Sequence, residues 1–269
     1  VKPLVLTLRA VPDQRLDLAV LLPHRLAGLS AAEIERLEVQ TRRERVTVGD
    51  VFRVTMGEAD SIRIEGSCER LDRIGEGMTG GEIRVDGSVG ARAGRRMAGG
   101  RLIIHGSTGP WAASGMTGGA IEIIGDAGER LGGPLPGETA GMRGGTVVVR
   151  GNAEARAGDR LRRGLILVEG HAGPYAGSRM IAGTLIIGGR AGALPGYLMR
   201  RGTIVLAQGC EQLAPTFVDC GVHDLVALRL IADHVRQIGA RIRSLWRRPL
   251  RRLAGDMAVL GKGEIFTPE

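Results

Sequence analysis

Aromatic side chains are nearly missing from this chain: three Phe, two Trp and two Tyr in 269 residues. A surface that stacks nucleic-acid bases interleaves aromatics with its basic residues, and the basic tail here holds just one, Trp246. Cysteine is as scarce. Cys68, Cys210 and Cys220 are odd in number and show no CxxC spacing, which argues against a disulfide framework or a zinc site and fits a reducing cytoplasm. No apolar run approaches a membrane span, and "VKPLVLTLRA" lacks the basic head and apolar stretch of a signal peptide. The five histidines (His24, His105, His171, His223, His234) have no metal-ligand neighbour at useful spacing. No Walker lysine follows any glycine turn, and serine and cysteine nucleophile motifs are missing. No catalytic residue and no metal ligand is therefore assigned.

What the chain has instead is glycine, 44 residues of it, and a net charge of +8 carried mainly by arginine. That charge favours an acidic partner, whether nucleic acid, an anionic lipid surface, an acidic subunit or a polyanionic small molecule.

The glycines recur with a period. Met78, Met97, Met116, Met142, Leu161, Met180 and Met199 are equivalent, separated by 19, 19, 26, 19, 19 and 19 residues. Most lead into Gly-Gly or a single Gly, and each glycine precedes a short apolar strand such as "EIRV", "RLII" or "TVVV". One strand after each glycine turn, at a fixed period near twenty, marks a solenoid. Nothing here supplies a leucine-rich horseshoe's asparagine ladder or returning helix, and a propeller blade needs about twice the period. The expected fold is mainly β, a right-handed parallel β-helix with about 19 residues per coil. The one long step hides a seven-residue insertion within 131–140. Alternation places Ile83 and Val85, Leu102 and Ile104, and their equivalents up to Ile204 and Leu206, in two inward columns.

The ends need covers. Residues 1–50 read as a small α+β cap, with Ser30 and Glu33 placed as a capping box. Residues 51–208 read as the β-helix, and 209–269 as a C-terminal helix with an arginine-rich tail. Leu225, Leu228, Ile231, Val235, Ile238 and Ile242 fall at helical spacing and give that helix one apolar stripe.

The repeats "MTGG", "MAGG" and "MRGG", with the N-terminal "HRLAGLSAAEI", resemble the C subunit of formylmethanofuran dehydrogenase. The repeats are also similar to the GxGxG β-helix domain of the glutamate synthase large subunit. The arginine- and alanine-rich composition looks more like the methylotrophic version, a formyltransferase/hydrolase complex on the way from formaldehyde to formate. The resemblance implies a non-catalytic scaffold working with the A, B and D subunits on a methanofuran-type carrier. The chain alone would bind no cofactor, and a molybdenum or tungsten pterin would be present only with a dehydrogenase partner. Neither nucleic acid nor membrane is expected as a partner. The alternative is a β-helix protein of a glutamate-synthase-like amidotransferase. A solenoid carbohydrate lyase would want carboxylate clusters on one strand face, and these are missing.

Three surfaces follow as expectations. Outward-facing Val148, Leu165, Leu167, Ile186 and Val205 form an apolar face that the C-terminal helix or a partner subunit should cover. Arg241, Arg243, Arg247 and Arg248 should meet acidic surface on a sister subunit. Shifting by the repeat stacks Arg73, Arg92, Trp111, Arg130, Arg156, Tyr175 and Leu194 in one corner column, and Arg143, Arg162 and Arg200 in a shorter one beside it. The resemblance implies a carrier bearing a chain of glutamates, so either column is a candidate for holding that chain or an acidic partner.

Overall fold

The computed structural model describes residues 2–41, 45–239, 242 and 249–268. The N-terminal part holds β1 (Pro3–Leu8), β2 (Leu16–Asp17), α1 (Pro23–Leu26), α2 (Ala31–Glu35), β3 (Glu38–Val39), β4 (Val46–Thr47), α3 (Val48–Val51) and β5 (Phe52–Thr55). The repeats supply β6 (Glu58–Ser67), β7 (Leu71–Asp72), β8 (Glu82–Gly87), β9 (Arg101–Ile104), β10 (Ala120–Ile123), β11 (Arg143–Val149), β12 (Arg163–Val168), β13 (Thr184–Ile187) and β14 (Arg201–Leu206). Then come β15 (Val218–His223), α4 (Val226–Gln237), β16 (Leu250–Gly255) and β17 (Lys262–Thr267).

The fold is mainly β. One 13-stranded sheet runs in the order β15-β16-β17-β14-β13-β12-β11-β10-β9-β8-β6-β1-β5. From β6 to β14 all neighbours in it are parallel and follow chain order. Their register sets Ile62, Ile83, Leu102, Ile121, Val147, Ile166, Leu185 and Ile204 opposite one another, with Ile64, Val85, Ile104, Ile123, Val149, Val168, Ile187 and Leu206 two residues on. Both columns are buried. A second line of parallel bridges links Val89, Thr108, Ala127, Ala153, Ala172, Ala191 and Cys210. The methionine anchors and Leu161 are buried too, so the repeat marker is itself a core column.

The Gly-Gly pair has two separate physical causes. Gly100 has φ +82°, and a Cβ there would stand 2.5 Å from Met78 Cε and 2.6 Å from the Gly81 carbonyl oxygen. Gly99 has no such dihedral demand, but its Cβ would lie 2.3 Å from the Thr79 carbonyl oxygen. In the later repeats the second glycine persists with positive φ at Gly164, Gly183 and Gly202. The first becomes Arg163, Ala182 and Arg201.

Both ends are tied into the sheet more closely than the sequence implied. β1 runs parallel to β6, with Leu4 opposite Ile62 and Leu6 opposite Ile64, so residues of the N-terminal part extend both core columns. The Ser30–Glu33 capping box forms at α2, and Thr47 and Asp50 make a second one at α3. At the other end, the expectation of a helix and tail overlooked three strands. β17 pairs in parallel with β14, placing Ile265 opposite Ile204, and β16 and β15 follow antiparallel. The helix is there as well. Leu228 and Val235 of α4, with Ile242 beyond it, are buried in one apolar cluster with Leu250 and Phe266, and the outward side chains Val148, Leu165, Leu167, Ile186 and Val205 are buried in the same cluster. Of the two covers expected for that face, it is the chain's own helix and C-terminal strands that supply one. The five aliphatics are internal contacts, which corrects their reading as partner-interface residues.

Candidate functional site: the arginine columns

The first column assembles as the spacing predicts. Arg73, Arg92, Trp111, Arg130, Arg156, Tyr175 and Leu194 all adopt left-handed backbone, with φ between 56° and 64°. Each donates its backbone N–H to the next repeat, to Ala91, Pro110, Glu129, Ala155, Pro174, Ala193 and Gln212 in turn, at 2.8–2.9 Å. The left-handed residue turns the chain sharply at the same point of each repeat, so the column marks a corner.

Its side chains are largely spoken for. Arg73 donates to Glu76 at 2.5 Å and also pairs with Asp17. The Glu76 hydrogen bond, with help from Asp17, pushes the Arg73 pKa above its already high ordinary value. Arg130 stands 3.8 Å from Glu129 and 3.9 Å from Asp159. Arg156 lies over the Tyr175 ring at 4.9 Å, and Tyr175 meets Tyr197 edge-on at 5.9 Å. The interleaving expected at Trp111 does not produce a cation–π contact among the described residues. Its indole N–H is buried without a hydrogen-bond partner.

The sequence reading missed the carboxylates. Three residues further along the same corner runs a polar line that includes Glu76, Arg95, Ser114, Asp159 and Ser178. Glu76 bridges Arg73 and Arg95, the latter at 3.0 Å. Burial opposes the Glu76 charge, but hydrogen bonds from Arg73 and Arg95 outweigh it and hold the carboxyl below the ordinary glutamate range. Asp159 is fully buried and accepts from Ser178 Oγ at 2.8 Å and Arg179 Nε at 2.9 Å. Glu138, inside the inserted segment, reaches back to Arg95 at 2.6 Å and Arg96 at 3.3 Å, and its carbonyl accepts from Arg160 at 3.0 Å. The insertion is thus an acidic clip across neighbouring repeats. Its one sequence signal was a glutamate in a segment with no repeat equivalent.

The second column differs in kind. Arg143, Arg162 and Arg200 stack through backbone hydrogen bonds to Met116, Met142 and Met180. Their side chains are exposed, as are those of Arg163 and Arg201 beside them. Among the described residues none of these five guanidinium groups has an ion pair or side-chain hydrogen bond, in contrast to Arg150, which is gripped by Glu122 at 2.7 Å and Glu169 at 2.6 Å. Arg241, Arg243, Arg247 and Arg248 lie outside the described residues. Among the described residues, no group of three or more His, Cys, Asp or Glu side chains could hold a metal, and no helix is long and apolar enough to cross a membrane.

Fold and columns first define a class: a mainly β repeat protein with charged corner columns and a helix-covered outer face. No protein-family model matches the chain. It is 54% identical over 263 residues to the C subunit of the formyltransferase/hydrolase complex Fhc of Methylorubrum extorquens, covering 98% of both chains. The structure superimposes with a TM-score of 0.92 on a chain in the crystal structure of the formyltransferase/hydrolase complex FhcABCD from the same organism in complex with methylofuran, at 46% identity and covering 98% of this chain and 99% of that one. The C subunit of the molybdenum-containing formylmethanofuran dehydrogenase 1 of Methanosarcina barkeri matches at 37% identity over 83 residues, 29% of this chain and 28% of that protein. The chain belongs to the family of C subunits of the formyltransferase/hydrolase complex. It is related over a shorter stretch to the C subunits of formylmethanofuran dehydrogenases.

Proposed function

We propose that this chain is the non-catalytic scaffold of a cytoplasmic formyltransferase/hydrolase complex in one-carbon metabolism, built with the A, B and D subunits around a methanofuran-type carrier. The observation that carries the reading is the full-length likeness, in sequence and in fold, to a C subunit of such a complex. The physical case agrees with it. In-register aliphatic columns and interlocked ion pairs make a stiff body, which suits a chain whose task is to hold others at fixed distances. The parallel register at 19-residue intervals, with its second line of bridges, supports a right-handed parallel β-helix, the hand that crossovers between parallel strands strongly favour. In this reading residues 1–50 cap the first coil, 51–208 form the coils, and 209–269 cover the far end and the outer face. The arginine columns are the candidate contacts for the carrier's acidic chain or for an acidic partner. A redox-active molybdenum or tungsten pterin belongs only to assemblies whose other subunits hold it.

Co-expression with the A, B and D subunits tests the proposal. A tagged copy of this chain should retain all three through size exclusion, and the complex should hydrolyse the formylated carrier while this chain alone does not. Elution of the tagged chain by itself would overturn it.

A further inference from the structure

The exposed arginines are not distributed evenly with respect to their counter-ions. On the sheet face Arg63 pairs with Asp86 at 2.7 Å, Arg84 with Glu82 at 2.6 Å and Arg101 with Glu122 at 3.1 Å. At the corner, Arg73, Arg95 and Arg179 each have a carboxylate of this chain. Arg143, Arg162, Arg163, Arg200 and Arg201 have none among the described residues, and they occupy adjoining positions. Arg143 and Arg163 are opposite one another where β11 meets β12. Arg201 is opposite Lys262 where β14 meets β17, and Lys262 is exposed too. The result is a stripe of six cations spanning four strand spacings, ~19 Å at ~4.8 Å per step. The paired positions Arg143 and Arg163, and Arg201 and Lys262, lie one spacing apart and inside the ~8 Å Debye length, so salt does not cancel their repulsion. Arg63, Arg84 and Arg101 on the sheet face and Arg73, Arg95 and Arg179 at the corner thus have carboxylates of this chain, whereas none of these six adjoining cations has one among the described residues.

We infer that this stripe is the docking surface for an acidic segment of a partner protein. Guanidinium forks pair with carboxylates two bonds at a time. Half-buried Ile181 and Ala182 occupy the rung between Arg162 and Arg200, an apolar break that suits a protein side chain and interrupts any run of phosphates. None of the six positions, nor the two between them, is aromatic, which leaves a nucleic acid without a stacking platform. The inference rests on the proposed function, which supplies the partner proteins, and it narrows that reading from two columns to one and adds Arg163, Arg201 and Lys262 to it.

The test uses the co-expressed complex carrying Arg162→Gln, Arg163→Gln, Arg200→Gln and Arg201→Gln together, beside a control with Arg25→Gln, Arg36→Gln and Arg53→Gln in the N-terminal part. The stripe variant should lose at least one of its partner proteins at about half the salt concentration that dissociates the wild type, while the control behaves as wild type. The difference should shrink at high ionic strength, since the lost interaction is a screened one. Carrier content is read by mass spectrometry of the denatured complex. A stripe variant that assembles like the wild type overturns the inference, and if it assembles but has lost methylofuran-type carrier, the stripe is a carrier site instead. Binding of a labelled RNA or DNA oligonucleotide that depends on the stripe overturns it in favour of nucleic acid. If even the wild type retains none of the partner proteins, the proposed function fails and the stripe's assignment with it.

Discussion

Asp159 is where the internal charge network can be broken most cleanly. Its carboxylate is fully buried and takes hydrogen bonds from Ser178 Oγ at 2.8 Å and Arg179 Nε at 2.9 Å, with Arg130 3.9 Å away. Asp159→Asn keeps the shape but removes the charge, and it turns an amide donor toward guanidinium donors. A charge-assisted hydrogen bond of this kind contributes ~1.5–3 kcal/mol. Arg179 also loses its anion and Arg130 keeps only Glu129, but their side chains are 34% and 31% exposed, so water compensates for part of that loss. The expected destabilisation is about 3 kcal/mol, the low end for breaking a buried pair. In a chain of this length that corresponds to a fall in Tm of roughly 6–12 °C. Ser178→Ala, which removes only a neutral donor, should cost about 1 kcal/mol. Adding Arg179→Gln to Asp159→Asn should cost less than the sum of the two, because the second change removes the group that the first left unpaired. Urea and thermal denaturation followed by far-UV circular dichroism measure all four variants. Asp159→Asn within about 0.5 kcal/mol of wild type, or strict additivity of the pair, would refute the assignment of Asp159 as the buried counter-ion.

Gly100→Ala should destabilise by roughly 2–5 kcal/mol through left-handed strain and overlap, whereas Gly80→Ala, whose Cβ meets nothing within 4 Å, should be nearly neutral; equal effects would dismiss the corner argument. Glu76 sits below its ordinary pKa of 4.5, so its stabilising charge is present at neutral pH and is lost as pH falls through the depressed folded value. Glu76→Gln should therefore lower Tm at pH 7 and flatten its decline below about pH 4.5, and acid limbs that stay parallel would speak against the linkage. Val235→Asp places a charge in the cluster under α4, and limited proteolysis should then cut between β15 and β16 while the repeats resist; protection equal to wild type would mean α4 does not depend on that contact.

How far the sequence discloses the structure depends on whether a feature shares the repeat. The core columns do: Ile83 and Leu102 are the same position one period apart, and pairing follows from counting. The first arginine column is legible for the same reason. Its counter-ions are not. Asp17, the partner of Arg73, comes from the N-terminal part, and Glu138, which pairs with Arg95 on the neighbouring line, from the inserted segment, so no period points to either. β15, β16 and β17 also escape, because they follow the last repeat and two of them pair antiparallel. The loss of the first glycine after residue 160 reads in the sequence as weakening of the pattern. In the structure it marks where that position starts to carry Arg163 and Arg201 while the left-handed second glycine stays.

The two arginine columns therefore answer different demands. A left-handed residue other than glycine costs about 1–2 kcal/mol, yet Arg73, Arg92, Arg130 and Arg156 all accept that conformation. Backbone hydrogen bonds between repeats hold it, and at Arg73 and Arg130 the side chain reaches carboxylates of the same chain. At Arg73, Arg130 and Arg156 the column is accounted for within the fold. At the second column the backbone asks for little: the equivalent residues in earlier repeats are Thr79, Ala98 and Thr117, followed by Gly80, Gly99 and Gly118. Small side chains satisfy the turn there. Arginine at Arg143, Arg162 and Arg200, doubled by Arg163 and Arg201, brings no ion pair or side-chain hydrogen bond among the described residues and adds repulsion between them, so the contacts of the fold do not explain it. On the inference drawn above, the stabilising counter-charge for that surface is the acidic segment of a partner protein.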